Sequence, residues 1–349
     1  LALPRLGKGQ ALSLAEQELP PGPLLLCDAD VAGDLRTLRE TTVDVAVAAF
    51  AERPGGGFGI AKRAARALVQ ARSGFEAREP LSGQRTVSPA ARAACFPLAP
   101  GFGCEVRCTI DAVRAGLAVE EVMLPLAHRP TGRDLRGFVH RGRQLLHAAL
   151  ACGPLARNHR GLRLPLVGSM IAAFQPGVAP VAALGLADDL WSGSERGFRA
   201  HLRSGRTTGT LKLVAIPAYA LLRTRSLSAA ALVALAANAL NQLDTRPGRA
   251  LKAFFLASAA LRIRSRALWG GVLLTPYDLR EMTMLGDGGA NALGAVLGFG
   301  SVAKFGVRGR WLAIGALAGL TLLGERRSLG RLIEQTPVLR ELDAMGRVP

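Results

Sequence analysis

The pattern of apolar and polar positions changes character partway along the chain. Up to about residue 145, short apolar runs alternate with amphipathic stretches. PGPLLLCDADV (21–31) carries the run Leu24 to Cys27 between Pro/Gly punctuation and acidic residues, which predicts a buried strand with Asp28 and Asp30 at its carboxyl end. TVDVAVAAF (42–50) predicts a second strand and LAVEEVMLPLAH (117–128) a last one. GIAKRAARALVQA (59–71) and CEVRCTIDAVRAG (104–116) predict helices, the latter ended by Gly116. Strands alternating with helices imply an α/β layered domain with a mostly parallel sheet. Beyond that point long uncharged runs take over. Positions 164–187 hold 24 residues without a charge and 226–243 hold 18, both near the length that spans a hydrocarbon core. The runs 212–222, 253–261, 267–277, 288–303 and 311–324 are shorter and would need snorkelling flanks, tilt or burial to span. The expected fold class is therefore an α/β N-terminal domain over residues 1–147, then an all-α polytopic membrane domain over 148–349 with about four to six spanning helices.

Composition supports that reading. Of the 349 residues 49% are apolar, and 44 Lys+Arg against 26 Asp+Glu give a net charge of +18. Residues 1–150 hold 19 basic against 15 acidic side chains, which leaves 25 against 11 for the rest. The excess sits in short basic stretches beside apolar runs, the arrangement of cytoplasmic loops and membrane-surface anchors. Nucleic-acid binding asks for a continuous basic face with stacking aromatics, and aromatics are only 5%. Cys27, Cys95, Cys104, Cys108 and Cys152 form no CxxC pair and no zinc-spaced cluster, so reduced structural thiols are expected. The start has no charged-then-apolar leader layout and begins with Leu1, so translation is expected to start upstream or the sequence to be a fragment.

Two acidic constellations carry the candidate chemistry. In the first, Asp28 and Asp30 stand at i and i+2 after a strand, so both can turn toward one divalent cation at the sheet's carboxyl edge. The stretch from LPRLGKGQAL through LLLCDADV, PLSGQRTVS and APGFGCEVRCTIDAVRAG to LAHRPTGRDLRGFVHRGRQ, about residues 1–147, resembles the family 2 glycosyltransferases. That resemblance implies an A-type, Rossmann-like nucleotide-sugar fold in which Asp28 and Asp30 hold Mg²⁺ or Mn²⁺ with His128 as a third ligand. It also places Glu105 on the acceptor side and Lys8 near the nucleotide. The family's first strand and its base-gripping acidic loop have no counterpart before LGKG, so the sheet is expected to be incomplete.

In the second constellation GLADDLWSG places Asp188 and Asp189 at the end of the first long apolar run. Asp244 in NALNQLDTRPGR closes the second run, and Asp287 in MLGDGGAN precedes another. Carboxylates at the ends of apolar helices are costly without a metal, a partner or water. Three such sites could gather around one Mg²⁺, and the glycine-rich GDGGAN turn, with Gly288 and Gly289, could let backbone N–H groups approach a phosphate. RNHRGLRLP, GLADDLWSG, TTGTLK, NALNQLD, LGDGGAN and the ending SLGRLIEQTPVLRELDAMGR, over about 157–349, resemble the polyprenyl-phosphate N-acetylhexosamine-1-phosphate transferases, the superfamily of phospho-muramoyl-pentapeptide transferase. The resemblance implies transfer of a sugar phosphate from a UDP-sugar to polyprenyl phosphate, with Asp188, Asp189 and Asp287 around Mg²⁺. Asn238, Asn241 and Asp244 would lie near nucleotide and metal, and Arg199, Arg203 and Arg206 along the approach. Where that family carries a second acidic residue after Asp244, this chain has Arg246-Pro247-Gly248-Arg249, and no histidine follows His201.

The sequence thus predicts a multi-pass cell-membrane transferase with its active face toward the cytoplasm, using nucleotide sugars and polyprenyl phosphate in envelope polysaccharide synthesis, with no nucleic-acid partner. Two alternatives stand beside it: a catalytically eroded membrane scaffold that retains both folds, and a protein in which only the glycosyltransferase half is active.

Overall fold

The structure, a computed structural model, describes residues 7–50, 59–128, 134–191 and 208–347. The chain divides into two compact units, Leu1–Pro165 and Leu166–Pro349.

The first unit opens with helix α1 (Lys8–Gln17), strands β1 (Leu24–Leu26) and β2 (Val31–Ala32), helix α2 (Arg36–Arg39) and strand β3 (Val45–Phe50). Helix α3 (Ile60–Ser73), strand β4 (Arg85–Val87) and helices α4 (Pro89–Cys95) and α5 (Cys104–Arg114) follow. Strands β5 (Val119–Leu124) and β6 (Ala127–His128), helix α6 (Leu135–Ala151), and the paired strands β7 (Leu155–Arg157) and β8 (Arg163–Pro165) complete the described part. The main sheet runs β1-β4-β3-β5. Strand β3, Val45 to Ala49, is buried on both faces, as a continuous Ala/Val run demands. Among the described strands of this sheet β3 and β5 are parallel, whereas β4 runs antiparallel to β1 and to β3, so the expected mostly parallel sheet is in fact mixed. Helix α4 starts where the Ser88 hydroxyl accepts the Ala91 N–H at 3.1 Å with Pro89 in the first turn.

The second unit is helical. Its centre is the Gly286–Lys304 helix, buried along most of its length. Small residues let its neighbours come close. A Cβ on Gly294 would lie 2.4 Å from the Ala236 carbonyl oxygen, and one on Gly298 2.5 Å from Val233 Cα, both on the Leu227–Leu243 helix. A Cβ on Gly185, in the Ala179–Trp191 helix, would lie 2.4 Å from the Asp287 carbonyl oxygen.

The expected polytopic membrane domain, and with it the multi-pass membrane placement, is overturned: among the described residues no helix is long and apolar enough to cross a membrane. The physical reason is legible in each run. Pro165, Gly168, Pro176 and Gly177 break positions 164–187 into a strand end, two 3₁₀ turns, the four-residue Ile171–Phe174 helix and the 13-residue Ala179–Trp191 helix. Thirteen residues rise about 20 Å, short of the roughly 30 Å of hydrocarbon. The Leu227–Leu243 helix reaches 17 residues and ends in the amides Asn238, Asn241 and Gln242. The 20-residue Val307–Arg326 helix carries Arg308, Arg310, Glu325 and Arg326.

Candidate functional site

Among the described residues the sequence-derived candidates fall in two polar centres, one in each unit. In the first, α1 presents Lys8, the end of β1 presents Asp28, and the first turn of α5 presents Glu105. The Lys8 ammonium lies 2.5 Å from Asp28 Oδ1 and 2.6 Å from Glu105 Oε1. Burial pulls the Lys8 pKa down, but the Glu105 and Asp28 carboxylates outweigh it and hold it above the usual lysine range. Gln84 Nε2 donates to Asp28 Oδ2 at 3.1 Å, and the Cys104 thiol donates to Glu105 Oε2 at 3.0 Å. Fully buried Arg85 donates to the Glu105 and Ser82 carbonyl oxygens at 3.0 and 2.6 Å. At Gly83 a Cβ would sit 2.2 Å from Asp28 Oδ2 and 2.5 Å from Lys8 Nζ, so a side chain there would push these two charged ends aside. Asp30 lies on the turn after β1, exposed. The β2–β6 pairing sets Val31, the residue after Asp30, opposite His128. Backbone register therefore brings the DAD turn beside His128, whose side chain lies outside the described residues.

The second centre gathers around the Leu285–Gly288 turn that opens the buried helix. Lys212, in the Thr208–Thr224 helix, lies 2.5 Å from Asp188 Oδ2 and also pairs with Asp287. Asn241 Nδ2 donates to Asp287 Oδ2 at 3.3 Å. Asp189 accepts the backbone N–H groups of Asp287 at 3.1 Å and Gly288 at 3.2 Å. Asp244 accepts the Gly286 N–H, and Asp278 accepts those of Leu285 and of Gly248, the latter at 2.6 Å. The orphan N–H groups of a helix start are thus filled by three carboxylates, Asp278, Asp244 and Asp189, on consecutive donors.

That arrangement places the sequence-derived candidates. Asp188, Asp189, Asp244, Asp287 and Asn241 come together. Asn238 lies one turn away and donates to Thr321 Oγ1 at 3.1 Å. Gly288 gives its N–H to Asp189, and Gly289 packs where a Cβ would meet Gly168 Cα at 2.5 Å. In this arrangement both glycines serve close packing and capping. Arg199, Arg203 and Arg206 lie outside the described residues. Sequence reasoning missed Lys212 and Asp278. The signals were the lone lysine that opens the otherwise uncharged 212–222 run, and an acid at the end of the Ala267–Asp278 helix. Among the described residues no three His, Cys, Asp or Glu side chains are grouped to hold a metal ion. Lys212 stands between Asp188 and Asp287, so an ammonium balances the charge of those two carboxylates.

Burial and neighbouring acids shift these groups upward. Asp189 is pushed up to about 7 by burial and by Asp287, and Asp278 to about 6, mainly by burial. The folded chain then binds protons that the unfolded chain, with carboxylates near 4, has released. These groups therefore make stability fall as pH rises from about 4 to about 7. Asp278→Asn is expected to shallow that slope relative to the unsubstituted protein, measured as urea midpoints across this range. Parallel curves would show that Asp278 titrates normally.

No protein-family model matches the chain, and no curated protein matches it. The chain is similar over part of its length to solved structures of glucosyl-3-phosphoglycerate synthase from Mycobacterium tuberculosis. The complex with Mn²⁺, UDP-glucose and phosphoglyceric acid is 22% identical, covering 44% of this chain and 60% of that one, with a TM-score of 0.34. The complex with Mg²⁺ and UDP is 24% identical, covering 43% and 56%, with a TM-score of 0.35. The complex with phosphoglyceric acid alone is 24% identical over 46% and 63%, with a TM-score of 0.34. The chain spans about six tenths of the length of these structures. None of the comparisons supports the resemblance drawn for residues 157–349.

Proposed function

We propose that the first unit is the working half of the protein, a metal-assisted transferase that moves a sugar from a nucleotide donor. The observation that carries this is the Lys8 ammonium held between Asp28 and Glu105 at the carboxyl end of β1, with the DAD turn paired in register beside His128. The donor set fits a hard divalent cation: two carboxylates two residues apart on a turn, with an imidazole-bearing residue across the β2–β6 pair. Asp28, Asp30 and His128 would hold that ion, which when bound would offset the charge of the departing nucleotide diphosphate.

The chain's own residues supply the rest. An ammonium has three N–H groups, and Asp28 and Glu105 engage two, so the third can meet a donor phosphate. Arg85 and Cys104 hold Glu105 in a buried setting, where its charge acts with little screening. Gln84 fixes the second oxygen of Asp28.

A second reading concerns the second unit: transfer of a sugar phosphate from a UDP-sugar to a phosphate acceptor, polyprenyl phosphate being the acceptor its resemblance names. The convergence of Asp188, Asp189, Asp244 and Asp287 with Lys212 and Asn241 favours it. One assay separates the two, because sugar transfer from UDP-glucose releases UDP whereas sugar-phosphate transfer releases UMP. With the full chain, Mn²⁺ and UDP-glucose, and phosphoglyceric acid or polyprenyl phosphate as acceptor in separate arms, UDP release is expected, lowered at least about a hundredfold by Asp28→Asn and unchanged by Asp287→Asn. UMP release that follows Asp287 would establish the second reading. Neither product, from folded protein tested across nucleotide sugars, would sink both.

A further inference from the structure

Where the resembled transferases carry a second acid after Asp244, this chain carries Arg246-Pro247-Gly248-Arg249, and the structure gives both arginines acidic partners nearly a hundred residues later. Arg249 is 4% exposed and meets Asp343, 7% exposed, through two parallel bonds: Nε to Oδ1 at 2.9 Å and Nη2 to Oδ2 at 2.7 Å. Its third nitrogen, Nη1, donates to Thr245 Oγ1 at 2.7 Å. Glu334 lies 3.4 Å from Arg246 and 3.5 Å from Arg249. Arg347 pairs with Asp343 and donates to the Pro247 carbonyl oxygen at 2.7 Å. Lys252 donates to the carbonyl oxygens of Leu342 and Asp343 at 3.1 and 2.6 Å. Gly330 is pressed against the same place, for a Cβ there would lie 2.9 Å from Arg249 Nη1.

We infer that the paired helices Leu329–Gln335 and Pro337–Ala344 form a clasp that sets the acidic centre, with Asp343 acting through Arg249 on the turn that follows Asp244. The bonds are continuous. Asp343 holds Arg249, Arg249 holds Thr245, and Arg347 holds Pro247. The neighbouring Gly248 N–H meets Asp278, which in turn takes the Leu285 N–H, while Asp244 takes that of Gly286. The path ends at Asp287, the residue paired with Lys212. Bidentate guanidinium–carboxylate geometry is directional, so it fixes the turn's orientation as well as its distance. Arg249 and Asp343 are positioning residues in this scheme, and the scheme holds whichever reaction the protein performs.

The test is hydrogen exchange on the full chain, read in segments 244–249, 285–288, 290–304 and 329–346. Asp343→Asn should speed exchange about tenfold or more in 244–249 and 285–288 while 290–304 and the first unit keep their rates. The charge swap Arg249→Asp with Asp343→Arg should restore protection in both turns. Thr245→Val is the milder variant, which should loosen 285–288 while 329–346 stays protected. Opening confined to 329–346 would overturn the inference. So would opening of the whole unit by Asp343→Asn with no response to Thr245→Val, since the contact would then be packing alone.

Discussion

Gly168→Ala is expected to destabilise the second unit by about 3 kcal/mol or more. A Cβ at this position would lie 1.9 Å from the Leu285 carbonyl oxygen and 2.6 Å from Gly289 Cα. Both are backbone atoms, so no flexible side chain can swing aside. Their positions are tied from several directions. Leu166 bridges to Met284, the Val167 N–H donates to the Met284 carbonyl oxygen at 3.1 Å, and the N–H groups of 285 to 288 are gripped by Asp278, Asp244 and Asp189. Relief of the clash must push the Leu285–Gly289 turn away and carry Asp287 off Lys212. The substitution should therefore lower the urea midpoint and disturb the acidic centre together. Gly142→Ala is the control, a helix glycine in α6 with nothing near its would-be Cβ, and it should raise stability by up to about 1 kcal/mol. Equal midpoints for Gly168→Ala and the unsubstituted protein would show that the two backbones do not meet this closely.

That contact shows where pattern reading reaches and where it stops. Strand β1 and helices α3 and α5 fall where the apolar periodicity and the glycine stops put them, because local burial and local propensity agree there. The direction of β4 was not legible, since it is set by the 74–84 connection and carries no periodic signal of its own. The uncharged runs misled for a physical reason. A run rich in Ala and Gly is equally suited to a lipid surroundings and to helices that approach until backbones touch, and hydropathy cannot separate the two. The second acidic centre was visible as residues but not as a network. Nothing in GDGGAN announces that its N–H groups are already taken by Asp189, Asp244 and Asp278. Arg249 and Asp343 are related only through the fold, so no spacing rule could pair them.

Lys212→Met is expected to cost about 3 to 5 kcal/mol at pH 8, most of it recovered at pH 5. Asp188 is 6% exposed, and the Asp188 and Asp287 carboxyls are close enough to hydrogen-bond to each other. Burial already raises Asp287, and Lys212 is the cation that opposes this rise. Remove the ammonium and two acids face each other in a poorly solvated place, so the folded state holds its proton to a higher pH than before. The unfolded chain releases that proton near pH 4, hence the variant loses stability as pH rises above that value, and by more than the parent does. Urea unfolding at pH 5 and pH 8 measures the difference between the two proteins directly. The same substitution at Lys8 leaves a different situation. Lys8 and Asp28 are 27% and 32% exposed, so water can take over the balance of that pair, and the cost of Lys8→Met falls mainly on Glu105, 4% exposed, which is left without its ammonium. If Lys212→Met instead lost the same stability at both pH values, packing of its alkyl stem would account for the loss. The pairing of Asp188 and Asp287 across a shared cation would then not be what holds the acidic centre together.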